Sequence, residues 1–376
     1  MSERRVGLLV NPVAGMGGRV GLKGTDGPET LRLAIELGAR PEAIDRASRT
    51  LYVLASLIPN VEILTVSGAM GEFAACHVDV RVKIVGLPAR ETTSADDTRR
   101  AVQDLVRAGV DLLLFAGGDG TARDVMSGLV DSGVPALGIP AGCKMHSGVF
   151  ATSPDSAGRL VARFLKDATR PIPLREAEVM DIDEGAFRNN QVSAQLYGYL
   201  LVPNDRRHVQ AAKSGRGLTG EAAIDGIAQE FVSSMDPECL YLVGGGSTTK
   251  RIFEYLGCEK TLLGVDALLG GEIVGFDVNE SQILQLVQGR EFRIVVSVIG
   301  AQGYIFGRGN QQLSAEVLRV VPKDHITVVA TTEKLASLTE RRLLVDSGDP
   351  EVDERLSGFM VVHTGYGRRA VMRVGR

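Results

Sequence analysis

The sequence predicts an α/β protein with an N-terminal doubly wound, Rossmann-like domain and a second, β-rich α/β domain. Three observations carry that prediction. At 376 residues the chain exceeds what one hydrophobic core usually holds. In its first half, short and almost continuously apolar runs alternate with helical patterns, as parallel strands covered on both faces require. Beyond Pro171 and Pro173 the strands follow one another more closely, so the boundary is drawn there, giving domains over 1–170 and 171–376. The C-terminal segment can pack back on the first domain.

The elements follow in order. "RVGLLVNP" is a short buried strand that runs into the glycine-rich stretch "AGMGGRVGLKGTDG", ending at Gly27. A helical pattern covers Pro28 to Leu37, and "VEILTVSG" and "VKIVGLP" are the second and third strands. "TSADDTRRAVQDLVRAG" is a helix: it has Ser/Thr/Asp start signals, apolar spacing at Ala101, Val102, Leu105 and Val106, and a stop at Gly109. "VDLLLFAGGDGT" reads as strand, loop and helix start, and "VPALGIPAG" as a strand ending in a loop. In the second domain "EAEVMDID" and "LYGYLLVP" are strands, and "CLYLVGGGSTTKRIFEYLG" repeats the strand, glycine loop, helix design. "TLLGVDALLGGEIVGFDVNESQILQLV" is a hairpin followed by a helix. "FRIVVSVIGAQGYIFGRGNQQLS" enters another glycine-rich loop, and "HITVVATTEKLASL" and "GFMVVHTGYGRRAVMRV" close the chain as strands.

Composition narrows the function classes. With 44% hydrophobic and 23% charged residues the chain has the composition of an ordinary globular protein, and its net charge of -4 offers nucleic acid no electrostatic attraction. Basic clusters such as "DTRRAVQDLVR" and "YGRRAVMRVGR" are interrupted by acids or apolar residues and read as solvated surface. Cys76, Cys143, Cys239 and Cys258 form no Cys-x-x-Cys pair, which fits a reducing compartment rather than a zinc site or disulfide framework. His77, His208, His325 and His363 lack metal-ligand spacing. The N-terminal apolar run is too short for a signal peptide, and no stretch reaches the roughly 18 apolar residues of a membrane span. A cytoplasmic location with no membrane or nucleic-acid partner is therefore expected; a homo-oligomer is also expected, though these features do not imply it.

Glycine costs conformational entropy unless its freedom or its missing side chain is used. Glycine-rich loops follow strands at 11–27, 117–121, 244–249 and 300–311. In doubly wound sheets ligands bind at the carboxyl ends of strands, and a helix N-terminus there suits phosphate. None of these loops has the Gly-x-x-x-x-Gly-Lys-Ser/Thr spacing of a P-loop, and "GMGGRV" fits the dinucleotide fingerprint poorly. Residue types and spacing thus define a phosphate-binding α/β protein and go no further.

Gly117–Thr121, Gly-Gly-Asp-Gly-Thr after an apolar strand, resembles the signature of the superfamily of NAD kinases, diacylglycerol kinases and 6-phosphofructokinases. "VNPVAGMGG" resembles the Asn-Pro-x-x-Gly segment that opens NAD and lipid kinases. The stretches "GGRVGLKGTDG", "GIPAGCKMHSGVFA", "TLLGVDALLGGEIVGFDVNE" and "IGAQGYIFGRGNQQLS" are similar to a subgroup of ATP-NAD kinase-like proteins that includes the acetoin-catabolism protein X. The resemblance implies an NAD kinase-like fold, with a donor domain over 1–170 and an acceptor domain over 171–376. It also implies ATP with Mg²⁺ as phosphate donor, the metal carried by ATP, and NAD as acceptor, giving NADP.

Carried over by that resemblance, Asp119 is the base acting on the adenosine ribose 2′-hydroxyl. Asn11, Pro12, Gly15, Gly17, Gly18, Lys23, Gly117, Gly118, Gly120, Thr121 and Lys144 are assigned to the phosphates. Asp26, His146, Gly245, Gly246, Ser247, Thr248, Arg308 and Asn310 are assigned to the acceptor. Several have a plainer reading beside them. Asp119 can cap a helix starting at Ala122, Asp26 can make an Asp-Gly turn, His146 can be a satisfied loop residue, and "GRGNQQ" can close a hairpin. The NAD kinase run Thr-Pro-Thr-Gly-Ser-Thr-Ala-Tyr is only echoed in "VGGGSTTKRIF", where Lys250 replaces the aromatic residue, and neither "DVNE" nor "RNNQ" matches the Asn-Glu/Asp pair in both position and composition. Another hydroxyl acceptor (a nucleoside, sugar or polyol) is the alternative within the class. A non-catalytic nucleotide sensor is the alternative outside it, and an intact Asp119 argues against that.

Overall fold

A computed structural model describes residues 5–22, 27–86, 93–142, 145–166, 172–182, 194–204, 220–299, 303–338 and 341–375. The chain divides into two compact units. The first comprises Met1–Met16, Gly24–Glu36 and Arg40–Ala212, and the second Gly17–Lys23, Leu37–Ala39 and Lys213–Arg376.

The first unit runs β1 (Val6–Val10), α1 (Pro28–Glu36), α2 (Ala43–Leu57), β2 (Glu62–Thr65), α3 (Glu72–Ala75), β3 (Arg81–Ile84) and α4 (Ala95–Arg107). It continues with β4 (Leu112–Gly117), α5 (Asp119–Gly128), β5 (Ala136–Pro140), α6 (Pro154–Lys166), β6 (Leu174–Ile182) and β7 (Ala194–Pro203). Five strands form a parallel sheet in the order β3-β2-β1-β4-β5, with Val6 opposite both Ile63 and Leu112.

Because successive strand residues face opposite ways, each apolar strand feeds two layers. Leu8, Val10, Leu114 and Ile139 pack with Leu51 and Leu54 of α2 and Leu160 of α6. Leu9, Leu64, Leu113 and Phe115 pack on the other side with Val102 and Leu105 of α4 and Val125 of α5. Helices therefore cover both faces, as a doubly wound sheet requires. The antiparallel ribbon β6–β7 joins the second of these layers through Ala177, Val179, Leu200 and Val202.

Two local readings change. β3 was expected to be a buried strand, but all four of its residues are exposed, because it is the sheet edge. The helices α2 and α6 are additional to the elements read in order. α2 lacks a side-chain cap at Glu42, so it carries no start signal, and alanines make up much of its buried stripe.

The second unit contains α7 (Glu221–Ser233), β8 (Leu240–Val243), α8 (Ser247–Leu256), β9 (Asp266–Leu269), β10 (Glu272–Gly275), α9 (Glu280–Val287) and β11 (Phe292–Ser297). After these come β12 (Tyr304–Phe306), α10 (Ala315–Val320), β13 (Ile326–Val329), α11 (Thr332–Ala336), β14 (Arg342–Val345), α12 (Pro350–Leu356), β15 (Gly358–Gly365) and β16 (Arg368–Gly375). They form a mixed nine-stranded sheet in the order β10-β9-β8-β11-β13-β15-β16-β14-β12. Leu240, Leu242, Ile294 and Val296 point into one core, and Tyr241, Val243 and Val295 into the other. The segment "TTEKLA", expected in a strand, is instead the short helix α11, started by the Thr331 hydroxyl, which accepts the Lys334 N–H. Strand β12 lies within the stretch read as one glycine-rich loop, because its partner β14 is far along the chain. No helix among the described residues is long and apolar enough to cross a membrane.

Phe115 sits fully buried in the middle of the first sheet and meets Phe150 edge to face at 5.5 Å. There is no room for more than that pair: a methyl group at Gly138 would stand 2.2 Å from the Phe150 ring. Phe115→Ala should therefore leave a cavity and cost about 3–5 kcal/mol in denaturant unfolding. A loss below about 1 kcal/mol would contradict this packing.

Candidate active site

In the strand order β3-β2-β1-β4-β5, the chain leaves β1 towards one edge and β4 towards the other. The carboxyl ends of such a pair form the switch point where doubly wound sheets bind ligands. Residues 11–16, which begin the first glycine loop, and residues 117–121 lie there. Backbone contacts lock them to each other and to the end of β5. Asn11 N–H donates to the Ala116 carbonyl (3.0 Å), and both Ala141 and Gly142 N–H donate to the Gly117 carbonyl (3.0 and 3.1 Å). The Asn11 amide Nδ2 donates to the Thr121 hydroxyl (2.9 Å). Gly15 has φ +81°, and a methyl group on it would stand 2.0 Å from the Ala141 carbonyl oxygen. A methyl group on Gly142 would stand 2.7 Å from the Gly118 Cα.

Asp119 opens α5 from this junction. It is the first residue of the helix rather than its cap; the cap position is Gly118, and no side chain caps the first turn. Two other helices begin differently: Ser94 and Asn279 each make a full capping box. The first turn of α5 is thus arranged as an anion site would be, with a positive dipole end and no competing side-chain acceptor.

The Asp119 carboxylate turns instead towards the loop after β5. Oδ2 accepts the His146 N–H (2.6 Å) and Oδ1 accepts the Ser147 N–H (3.1 Å). The His146 ring Nδ1 lies 3.4 Å from Oδ2. Asp119 and His146 are both buried. A carboxylate has about four lone-pair sites, so two backbone N–H bonds leave acceptor capacity for a hydroxyl.

Ser147 anchors this arrangement. Its hydroxyl donates to the Met180 carbonyl (2.8 Å) and accepts the Met180 N–H (2.9 Å), while Gly148 N–H donates to the Glu178 carbonyl (2.9 Å). Strand β6 thereby fixes the two amides that hold Asp119. One turn along α5, Arg123 pairs with Asp181 (3.2 Å) and stacks on Tyr197, tying the helix to the same ribbon. Sequence reasoning missed Ser147, and it read the two ribbon strands but placed them in the second domain rather than beside α5. The Ser147 signal was present in "CKMHSGVF", but nothing local identifies a partner on β6.

The structure brings together Asn11, Pro12, Gly15, Gly117, Gly118, Asp119, Gly120, Thr121 and His146 in the first unit. Gly17 and Gly18 are buried and belong to the second unit. Lys23, Asp26 and Lys144 lie outside the described residues. In the second unit, Gly246 takes φ +128° as the cap position of α8, which likewise has no side-chain cap. Thr249 Oγ1 lies 2.8 and 2.9 Å from the Gly244 and Gly246 carbonyls, and Ser297 Oγ donates to the Gly245 carbonyl (3.1 Å). Ser247 and Thr248 form the first turn, and Lys250 is exposed just beyond them.

Arg308 and Asn310 are buried within the second unit. The Arg308 guanidinium lies 3.4 Å from Asp346 and stacks on Tyr304, and the Asn310 amide bridges the Gly307 N–H and the Ile305 carbonyl. Among the described residues no group of three His, Cys, Asp or Glu side chains is placed to hold a metal ion.

Comparison with known proteins gives these features a context. The chain matches the ATP-NAD kinase N-terminal domain over residues 6–169 and the ATP-NAD kinase C-terminal domain over residues 236–374, most of its length between them. No curated protein matches it. Two solved structures of "a putative diacylglycerol kinase from Bacillus anthracis str. Sterne" align at 18% identity and TM-score 0.26 over 48% of this chain. This chain spans under half of theirs, 46% and 43%.

The close approach at Gly15 can be separated from backbone strain. Gly27 also has positive φ, at +90°, but nothing stands within 4 Å of a methyl group placed there. Gly27→Ala should cost only the left-handed penalty, about 1–2 kcal/mol. Gly15→Ala should cost about 1–3 kcal/mol more, because the loop must also move away from Ala141. Equal losses in parallel denaturant melts would mean that the loop does not rest on β5.

Proposed function

The chain belongs to the ATP-NAD kinase family, and we propose that it is a phosphotransferase with an alcohol acceptor, moving the γ-phosphoryl group of ATP to the adenosine ribose 2′-hydroxyl of NAD to give NADP. The observation that carries this reading is the Asp119 carboxylate, held by two backbone N–H groups beside the uncapped first turn of α5.

Phosphoryl transfer asks little covalent chemistry of the protein; it needs an oriented hydroxyl, an acceptor for its proton and donors for phosphate charge. In the proposed step the acceptor oxygen forms a bond to the γ-phosphorus as its proton passes to an Asp119 oxygen. The bond from the γ-phosphorus to the bridging oxygen breaks, and that electron pair leaves on ADP. Backbone N–H groups around Gly118, Gly120 and Thr121 stabilise the phosphates, and the missing side chains at Gly117 and Gly118 allow close approach. His146, next to the carboxylate, contacts the acceptor. Mg²⁺ enters as part of the ATP substrate, screening its phosphates. Gly245, Gly246, Ser247 and Thr248 are assigned to the acceptor.

A second reading keeps the chemistry and changes the acceptor to a smaller, more polar hydroxyl compound. Lys250 favours it, since a flexible cation is exposed where the NAD kinase pattern has an aromatic residue. The two readings separate in one assay: purified protein with ATP and Mg²⁺, given NAD and followed by an NADP-specific coupled reaction, beside a panel of sugars and nucleosides scored by ADP release. NADP formation supports the first reading. ADP release with another acceptor and no NADP supports the second, and no turnover with any acceptor overturns both.

Asp119→Asn keeps the size of the side chain but removes a proton acceptor and turns an N–H group towards a backbone N–H. Turnover should fall by more than about a hundredfold. Unfolding stability should drop by about 1–3 kcal/mol, with ATP still bound in calorimetry. Activity within a few-fold of the parent would exclude Asp119 as the base.

A further inference from the structure

Behind the glycine loop at 244–249 lies an ion pair that the proposed chemistry does not use. Lys260 and Asp266 have no side-chain exposure, and Lys260 Nζ lies 2.9 Å from Asp266 Oδ2. The same ammonium also lies within hydrogen-bonding distance of the carbonyls of Val243 (3.2 Å), Thr261 (3.2 Å) and Gly264 (3.3 Å), which share its remaining N–H groups, and it lies over the Phe253 ring. Asp266 in turn accepts the Thr261 N–H (2.9 Å), the Thr261 hydroxyl (2.8 Å) and the Asp277 N–H (2.7 Å). Taking two charges out of water is costly, and an apolar pair of similar volume often serves stability as well or better. What the pair supplies is position: one cation gathers the end of β8 and both ends of the turn 261–264.

That turn is the wall of the glycine loop. The Leu262 carbonyl accepts the Gly246 N–H (2.8 Å). The Leu263 backbone presses on Gly245 so closely that a methyl group there would stand 2.8 Å from it. On the far side the loop is held by Ser297 and Thr249. The Asp277 carboxylate and the Thr261 hydroxyl lie directly against the turn, since a methyl group at Gly264 would stand 2.1 Å from Asp277 Oδ1. Burial pushes the Lys260 ammonium below its ordinary value while Asp266 opposes that shift.

We infer that Lys260, paired with Asp266, is a positioning residue that sets the backbone of the 244–246 loop through the turn 261–264. Its consequence for turnover rests on the proposal that this loop contacts the acceptor. Lys260→Met alone leaves a buried carboxylate without its cation and can fail to fold. The test therefore uses Lys260→Met/Asp266→Asn, which removes both charges at nearly constant volume, and Lys260→Gln/Asp266→Asn, which keeps a neutral hydrogen-bonding pair, as the milder variant should the first fail to melt cooperatively.

Two readouts are compared with the parent protein: amide hydrogen exchange, and the KM values for acceptor and ATP. The Gly246 amide should exchange at least about tenfold faster, while the Gly244 amide, bonded to Val295, keeps its rate. The acceptor KM should rise at least about fivefold with the ATP KM nearly unchanged. Gly246 exchange within about twofold of the parent in a folded variant overturns the inference. Faster exchange with an unchanged acceptor KM overturns its link to the substrate. If the parent turns over no acceptor, the proposed function fails, and the exchange rates still decide whether Lys260 positions the loop.

Discussion

Everything in the first unit depends on backbone meeting backbone at the carboxyl ends of β1, β4 and β5. The Gly117 carbonyl receives two N–H groups from the chain leaving β5, and Gly118 packs against Gly142 with no room for a side chain. Gly15 closes the third side against Ala141. Such contacts have little freedom to relax, since the nearest atoms belong to the main chain. The described strand ends at the switch point are therefore closely fixed to one another, and the helix that follows β4 starts from them in a set direction. A site built on strand ends holds its geometry better than one on a free loop.

The second unit uses the same strand, glycine and helix sequence but stabilises it by other means. Where the first unit brings glycines together, the second surrounds 244–246 with side-chain hydroxyls from Thr249 and Ser297 and with a turn organised by a buried lysine. The difference has a physical cause. β9 returns antiparallel beside β8, so the turn 261–264 comes back to the loop and brings polar backbone groups that need partners. Lys260 supplies several donors at once, which is the service a single ammonium can give in a dry site.

Buried charge follows one rule in both units. Asp119 is held by two main-chain amides, Lys260 by carbonyls and Asp266, and Arg308 by Asp346 and the face of Tyr304. Burying any of these groups alone would be costly. Paired as they are, Asp119 and Lys260 each tie main-chain segments together, and Arg308 joins two side chains. Of the three, Lys260 and Arg308 each face an opposite carboxylate, whereas Asp119 is held by main-chain amides, which leaves it acceptor capacity for the hydroxyl of the proposed reaction.

The sequence by itself determined the local form of the junctions. An apolar run followed by Gly-Gly-Asp-Gly-Thr is a strand, a tight turn and a helix start because those steps depend on residues only a few positions apart. The hairpin of β9 and β10 and the helix started by Ser94 were legible for the same reason. Helix α2 was not, since it starts without a side-chain cap. Nor was β12, whose strand character depends on β14. The tertiary structure alone decided which groups the site residues meet. That Asp119 faces the amides of His146 and Ser147, that Ser147 is pinned by Met180, and that Arg308 turns inward to Asp346 all follow from sheet register and layer packing. Local sequence sets backbone conformation through nearby sterics, but contacts between distant segments exist only once the strands that carry them are aligned.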